Sequence, residues 1–176
     1  MLEILYQDQD CVAINKPAGM LVHRSWLDSN ETEFVMQTLR DQLGRYVYPV
    51  HRLDRPTSGV LLFALASDSA RQLSQQFTAQ TIHKTYWAVA AGKPIKKQGW
   101  VIGDMAKARR GAWKLLRSCH NPARTRFDSV SLEAGLRCYR LWPQSGKTHQ
   151  LRVAMKSLGC PILGDVLYGG AAAARV

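Results

Sequence analysis

At 176 residues the chain is long enough to bury a genuine core as one domain, and a 46% hydrophobic content sets it apart from disordered sequences. Twenty-four Lys and Arg against 13 Asp and Glu leave a formal charge of +11, which favours polyanionic partners, nucleic acid first among them. A basic protein whose charge serves only solubility fits the same numbers. Cys11, Cys119, Cys138 and Cys160 are scattered, without Cys-x-x-Cys or His-x3-His spacing. That argues against a zinc site or a disulfide framework and suits a reducing compartment. The stretch Met1–Asp8 lacks a basic segment followed by an apolar run, and the longest apolar run, Val60 to Ala66, is too short to span a bilayer. A soluble, cytoplasmic protein away from membranes is the expectation.

In chain order, Leu2 to Tyr6 and Cys11 to Asn15 read as short strands around the turn-forming Asp8-Gln9-Asp10. Lys16-Pro17-Ala18-Gly19 is a turn, and Met20 to His23 a further brief strand. Val35, Leu39 and Leu43 recur at helical spacing after Thr32, and Gly44 closes that helix. Tyr46 to Val50 is extended. Val60 to Ala66 is unbroken enough for a fully buried strand. Ser67 or Asp68 is expected to cap a helix whose Ala70, Leu73 and Phe77 face the core. Tyr86 to Ala90 is strand-like, and Gly92 to Pro122 reads as shorter strands and basic loops. Arg124 to Val130 and Arg137 to Leu141 alternate as a hairpin. Leu151, Ala154, Met155 and Leu158 trace one face of a last helix, stopped by Gly159 and Pro161. Strands outnumber helices without regular βαβ alternation, so the expected fold is α+β, with a mixed, mostly antiparallel central sheet and flanking helices. One domain, 1–170, and a short tail, 171–176, are expected.

Three polar constellations interrupt this pattern. The loop His51-Arg52-Leu53-Asp54-Arg55-Pro56-Thr57-Ser58-Gly59 gathers a carboxylate, two guanidinium groups and an imidazole between apolar segments. A nearby cation lowers a carboxyl pKa by roughly 1–3 pH units, so an Asp54 flanked by Arg52 and Arg55 stays ionised and suits a nucleophile or base. Structural ion pairing of a loop residue explains the same residues. Tyr86, two residues after Lys84, is a core aromatic or, beside nucleic acid, a stacking platform. Ser145-Gly146-Lys147-Thr148 resembles a phosphate loop, but Leu141 stands where that loop needs Gly. What remains is a basic helix start in which Thr148, Arg152 and Lys156 share a face, either as a solvated surface or with Arg152 opposite Asp54.

Taken together, these blocks resemble the RluA-type RNA pseudouridine synthases. His51-Arg52-Leu53-Asp54-x-x-Thr57-Ser58-Gly59, Lys84-x-Tyr86 and Gly146-x-x-His149-Gln150-Leu151-Arg152 carry the likeness. The last leads on to Pro161-Ile162-Leu163-Gly164-Asp165-x-Leu167-Tyr168-Gly169, and Asn15-Lys16-Pro17-x-Gly19 agrees. The blocks recur in order over nearly the whole chain.

The resemblance implies the pseudouridine synthase catalytic fold and an isomerase acting on uridines of tRNA, large-subunit rRNA or both. It implies Asp54 as the essential carboxylate, Tyr86 packing on the target base and Arg152 pairing with Asp54. It further implies Arg52 filling the space of an extruded base, with His51, Arg55, Thr57, Lys84, Lys147 and Leu151 about the substrate. Isomerisation moves the ribose C1′ bond from uracil N1 to C5 without redox change or hydrolysis, so neither cofactor nor metal is expected. Attack of Asp54 on C1′, addition to C6 and assistance to glycal formation all remain open. Basic loops between Lys93 and Arg126 are expected to hold phosphates. Extrusion of a paired uridine costs on the order of a few kcal/mol.

Three departures from the family pattern stand out. Met1 begins directly at the catalytic fold, where many relatives carry a small RNA-binding module. Ala154 replaces a common His, and the chain stops soon after Gly170, where relatives usually continue. A synthase-like domain that binds RNA without turnover is the rival reading, and an Asp-dependent hydrolase is a third. A monomer is the default expectation.

Overall fold

The computed structural model describes residues 1–23 and 32–170. The chain forms two compact units, Met1–Ile82 and His83–Val176. The tail expected at 171–176 lies outside the described residues. The α+β expectation holds, its strands shared between two four-stranded sheets and a small two-stranded one. Among the described residues every pairing of named strands is antiparallel.

In the first unit, β1 (Glu3–Gln7) and β2 (Cys11–Lys16) form a hairpin closed by Asp8, whose carboxylate accepts from the N–H groups of Asp10 and Cys11. β4 (Gly59–Ala64) lies between β2 and β3 (Tyr48–Pro49), so the sheet runs β1-β2-β4-β3. Val12 and Ile14 of β2 and Leu61 and Phe63 of β4 are buried, as are Val35 and Leu39 of α1 (Val35–Leu43). Helix α1 ends at Gly44, whose φ of 62° is open to glycine at little cost. Leu21 does not extend into a strand and makes only an isolated bridge to Phe34.

Further expectations fail here. The strand predicted over Val60–Ala66 spans Gly59–Ala64, and Val60 is 62% exposed. An apolar run does not distinguish a strand buried on both faces from one that merely alternates. Helix α2 (Ser67–Thr78) begins with Ser67 inside it and Ala66 at the cap position, without a side-chain cap. Asp68 sits in the first turn, favourable to the helix dipole, and Ser69 Oγ bonds the Asp10 carboxylate instead. Ala70, Leu73 and Phe77 are only half-buried.

The second unit holds β5 (Tyr86–Ala91), β6 (Gly99–Gly103), β9 (Ala123–Ser131) and β10 (Leu136–Pro143) in the order β5-β10-β9-β6. β7 (Met105–Lys107) and β8 (Trp113–Leu115) form the small hairpin within the basic stretch, joined by a 3-10 turn at Arg109–Gly111. A Cβ at Gly103 would collide with the Leu116 carbonyl oxygen, so only glycine lets this hairpin approach the end of β6. Helix α3 (Gln150–Ser157) lays Ala154 and Met155 on Ala88, Ala90, Phe127, Tyr139 and Leu141 to make the core. The short helix α4 (Val166–Gly169) follows, capped by the Asp165 carboxylate.

Candidate active site

In the first unit, the loop between β3 and β4 is anchored inward by Leu53, which is buried. Thr57 N–H donates to the Asp54 carbonyl at 3.0 Å, closing a turn over Arg55 and Pro56 with the half-buried Asp54 at its start. Beneath that turn lies a residue that sequence reasoning did not single out. Lys16, the last residue of β2, has no exposed surface. Its ammonium donates to the carbonyls of Pro17 (2.8 Å), Thr57 (2.8 Å) and Arg55 (3.2 Å). An ammonium has three N–H donors, and all three find a carbonyl.

Burial pulls the Lys16 pKa down to about 8, against the opposing pull of the Asp54 carboxylate. The cation buried near Asp54 is therefore Lys16, where the sequence had suggested only Arg52 and Arg55. The signal was present, because Val12, Ile14 and Lys16 share the inward parity of β2. Arg55 is exposed and donates from Nε to the Gly19 carbonyl at 2.9 Å, while Gly19 N–H returns a bond to the Arg55 carbonyl at 2.8 Å. The loop and the Pro17–Gly19 turn thus brace each other.

His51 opens the loop. Its Nε2 accepts from Leu62 N–H at 2.9 Å, and its ring stacks on Phe77 with centroids 4.7 Å apart. Arg52 is exposed and Thr57 half-buried. Asp54, Arg55, Thr57, His51 and Arg52 therefore belong to one braced loop, with Lys16 at its base.

In the second unit, Tyr86 opens β5 opposite Leu141 of β10 and packs, half-buried, against the core, as does Leu151. Lys84 donates to the Ser145 carbonyl at 3.5 Å, and burial lowers its pKa. Lys147 donates to the Asn121 carbonyl, so the start of α3 is tied to the loop that precedes β9. Gln150 completes this tie from inside. Its buried amide oxygen accepts from Ser145 Oγ and Lys147 N–H, and its NH2 donates to the Arg124 carbonyl and Thr125 Oγ1. His149, with φ 58°, occupies the left-handed region that few non-glycine residues adopt. Its Nδ1 meets the Tyr168 hydroxyl at 2.8 Å, which also accepts from Trp113 N–H.

Arg152 is held by a partner the sequence reading overlooked. Its Nε and Nη2 donate to the two Asp165 carboxylate oxygens at 2.7 and 2.9 Å, and its guanidinium lies 4.9 Å from the Tyr168 ring centre. Both side chains of the pair are largely buried, at 12% and 6% exposure. Burial pushes the Asp165 carboxyl up, but hydrogen bonds and charge from Arg152 outweigh it and leave the pKa below its ordinary value. Asp165 lay within the quoted Gly164-Asp165 block, yet nothing local marks it as the mate of a residue 13 positions earlier.

Among the described residues, no group of three or more His, Cys, Asp or Glu is placed to hold a metal ion. One cluster is a carboxylate loop whose carbonyls hold a buried ammonium, and the other a guanidinium held by a bidentate acid.

Comparison with known proteins identifies the family. The family described as RNA pseudouridylate synthase matches residues 10–157. A Haemophilus influenzae protein named as an uncharacterized RNA pseudouridine synthase is 54% identical over 96% of this chain and 74% of its own length. The tRNA pseudouridine synthase C of Pasteurella multocida is 48% identical over the same shares. Among solved structures, human RNA Pseudouridylate Synthase Domain Containing 1 superposes with a TM-score of 0.80 at 26% identity, over 98% of this chain and 71% of that one. Human RNA Pseudouridylate Synthase Domain Containing 4 reaches 0.73 at 30% identity, over 94% and 68%. With the matched span taking in the Asp54 loop, Tyr86 and Arg152 alike, this chain belongs to the RNA pseudouridylate synthase family, isomerases that convert uridine in RNA to pseudouridine.

Proposed function

We propose that Asp54 is the catalytic carboxylate and that the substrate is a uridine of tRNA. The substrate is supported by relatives named tRNA pseudouridine synthase C, at 48% and 49% identity. The catalytic role is supported chiefly by the Lys16 ammonium bonded to the Arg55 and Thr57 carbonyls, within and at the end of the turn that Asp54 begins. Such a mount fixes the backbone from which the short carboxylate side chain projects.

In the reaction the C1′–N1 bond breaks, the uracil turns, and a C1′–C5 bond forms. The C5 proton leaves and N1 gains one, so atoms and charge balance without a co-reactant. Asp54 acts on C1′, on C6 or in glycal formation. Tyr86 packs on the uracil, and Arg152 serves the Asp54 carboxylate as the resemblance implies. Arg52, exposed at the loop surface, fills the space left by the base. Lys84, Lys147, Leu151, His51, Arg55 and Thr57 frame the nucleotide, and the protein works as a cytoplasmic monomer.

Tritium release from RNA labelled at uridine C5 tests this proposal. Unmodified tRNA transcripts release tritium with the wild-type chain, whereas Asp54→Asn binds them and releases none. Wild-type turnover by Asp54→Asn would end the catalytic assignment. Release from ribosomal RNA alone would move the substrate to rRNA, and sedimentation as a stable dimer would end the monomer assignment.

A further inference from the structure

Among the described residues, the core packs on one face of the β5-β10-β9-β6 sheet. Ala88, Ala90, Phe127, Tyr139 and Leu141 point toward α3, and the residues of opposite parity face outward. An antiparallel sheet open to water ordinarily carries polar side chains there. Here the outer set includes Trp87 on β5, Arg140 and Trp142 on β10, Arg124 and Arg126 on β9, and Trp100 on β6. Trp87 is 66% exposed and Trp100 43%.

Register makes these residues neighbours. Arg140 stands opposite Trp87, and Arg126 stands between Trp142 on one side and Trp100 on the other. The Arg140 guanidinium lies 5.9 Å from the Trp87 ring centre and 5.4 Å from that of Trp142. Arg126 lies 5.5 Å from Trp142, and Arg124 5.8 Å from Trp100. Rings and cations therefore alternate across all four strands. Asp128, ion-paired to Arg140 through Nε at 2.9 Å, is the acid among these residues and leaves the row net positive.

We propose that this outer face binds single-stranded RNA, with bases stacked on Trp87 and Trp100 and phosphates held by Arg124 and Arg126. The proposal rests on RNA being the substrate, and it concerns the sheet face opposite Tyr86. Exposed cation–π pairs stabilise a sheet only weakly, which does not account for a ring left two-thirds in water. A row of fixed guanidinium groups between flat rings matches a polyanion whose every base offers a π-face. Duplex RNA offers its shape and backbone but no base faces to stack, so the rings select unpaired strands.

The test uses the full chain carrying Asp54→Asn, so that turnover leaves the probe unchanged, and a short fluorescein-labelled oligouridylate titrated at several salt concentrations. Trp87→Ala weakens binding about tenfold with an unchanged salt slope, and Trp87→Phe, which keeps a ring, restores most of it. Arg126→Gln lowers the slope of log affinity against log salt by about 0.7, the loss of one phosphate contact on a single strand. Each variant is compared at matched melting temperature. Unchanged affinity in both Trp87→Ala and Arg126→Gln overturns the proposal. So does concentration-dependent self-association that Trp87→Ala abolishes, which would make the face an interface between copies. If the wild-type chain forms no pseudouridine in any RNA while Trp87→Ala still weakens oligouridylate binding, the catalytic reading fails and this one stands.

Discussion

The loop from His51 to Gly59 and the stretch from His149 to Tyr168 both carry charged side chains proposed to act on RNA. They are immobilised by different groups. In the loop the backbone is what is held: Lys16 bonds the Arg55 and Thr57 carbonyls, His51 accepts from Leu62 N–H, and Arg55 exchanges bonds with Gly19. In the second stretch the side chains are held by one another: Arg152 by both Asp165 oxygens, and His149 by the Tyr168 hydroxyl. A short Asp carries few rotatable bonds, so fixing its backbone places the carboxylate. A long Arg is not placed by its backbone and needs a planar partner at the guanidinium itself.

The largest disruption should come from the second stretch. Asp165→Ala leaves a largely buried guanidinium without its acid, and loss of one member of such a pair costs about 3–5 kcal/mol. Urea denaturation measures this. The double change Arg152→Met with Asp165→Leu should regain stability to within about 1 kcal/mol, the share of the lost α4 cap, but should not regain turnover. If Asp165→Ala is as stable as the wild type, the side-chain mount is not what holds this region. The paired acid also has a pH signature. Because the Asp165 pKa is depressed in the fold, its contribution is present above the ordinary carboxyl value of 3.8 and is lost as acid passes below it.

Lys16→Met should come next, at roughly 1–3 kcal/mol, because buried carbonyls lose their donor. Hydrogen exchange at Thr57 N–H should speed up, since the turn it closes loses its base. The pH dependence of this mount has two opposite signs. Burial holds Lys16 at about 8 in the fold against 10.5 ordinarily, so between those values the unfolded chain binds the extra proton. Stability of the wild type relative to Lys16→Met therefore rises through that window. The same deprotonation removes one donor and the cation near Asp54, so turnover falls as pH passes about 8. Paired denaturation and rate profiles check both slopes. A relative stability that falls over this range would show that the buried ammonium is favoured by its carbonyl cage.

His51→Phe is the gentlest probe, with an expected cost of about 1 kcal/mol. It keeps the stack on Phe77 and removes only the acceptor for Leu62 N–H. Thermal melting with a turnover assay would separate these two contributions. A loss of turnover much larger than the loss of stability would give His51 a role beyond bracing the loop.

Much of this was legible without coordinates where the physics is local. Val35, Leu39 and Leu43 with a following Gly44 mark α1, and alternation from Arg124 to Leu141 marks the β9–β10 hairpin. Where competing local signals are nearly equal, tertiary packing decides. Val60–Ala66 is apolar throughout, but only packing on both faces would bury all of it, and Val60 faces water. Ser67 has the chemistry of a cap, yet the helix starts one residue earlier than that role requires. The candidate residues of the site were visible as blocks, because Asp54, Tyr86 and Arg152 stand in the motifs that carry the family resemblance.

Composition and local pattern are enough to name the candidate groups, to place most of the helices and strands, and to show a charge that suits RNA. What holds those groups follows from long-range contacts of the fold. Lys16 reaches carbonyls 39 and 41 residues away, and Arg152 closes on Asp165 across the turn into α4. Periodicity and capping act over one or two turns of chain. A buried ammonium or guanidinium, by contrast, is paired by whichever acceptors the fold brings within 3 Å, and desolvation makes that choice costly to get wrong.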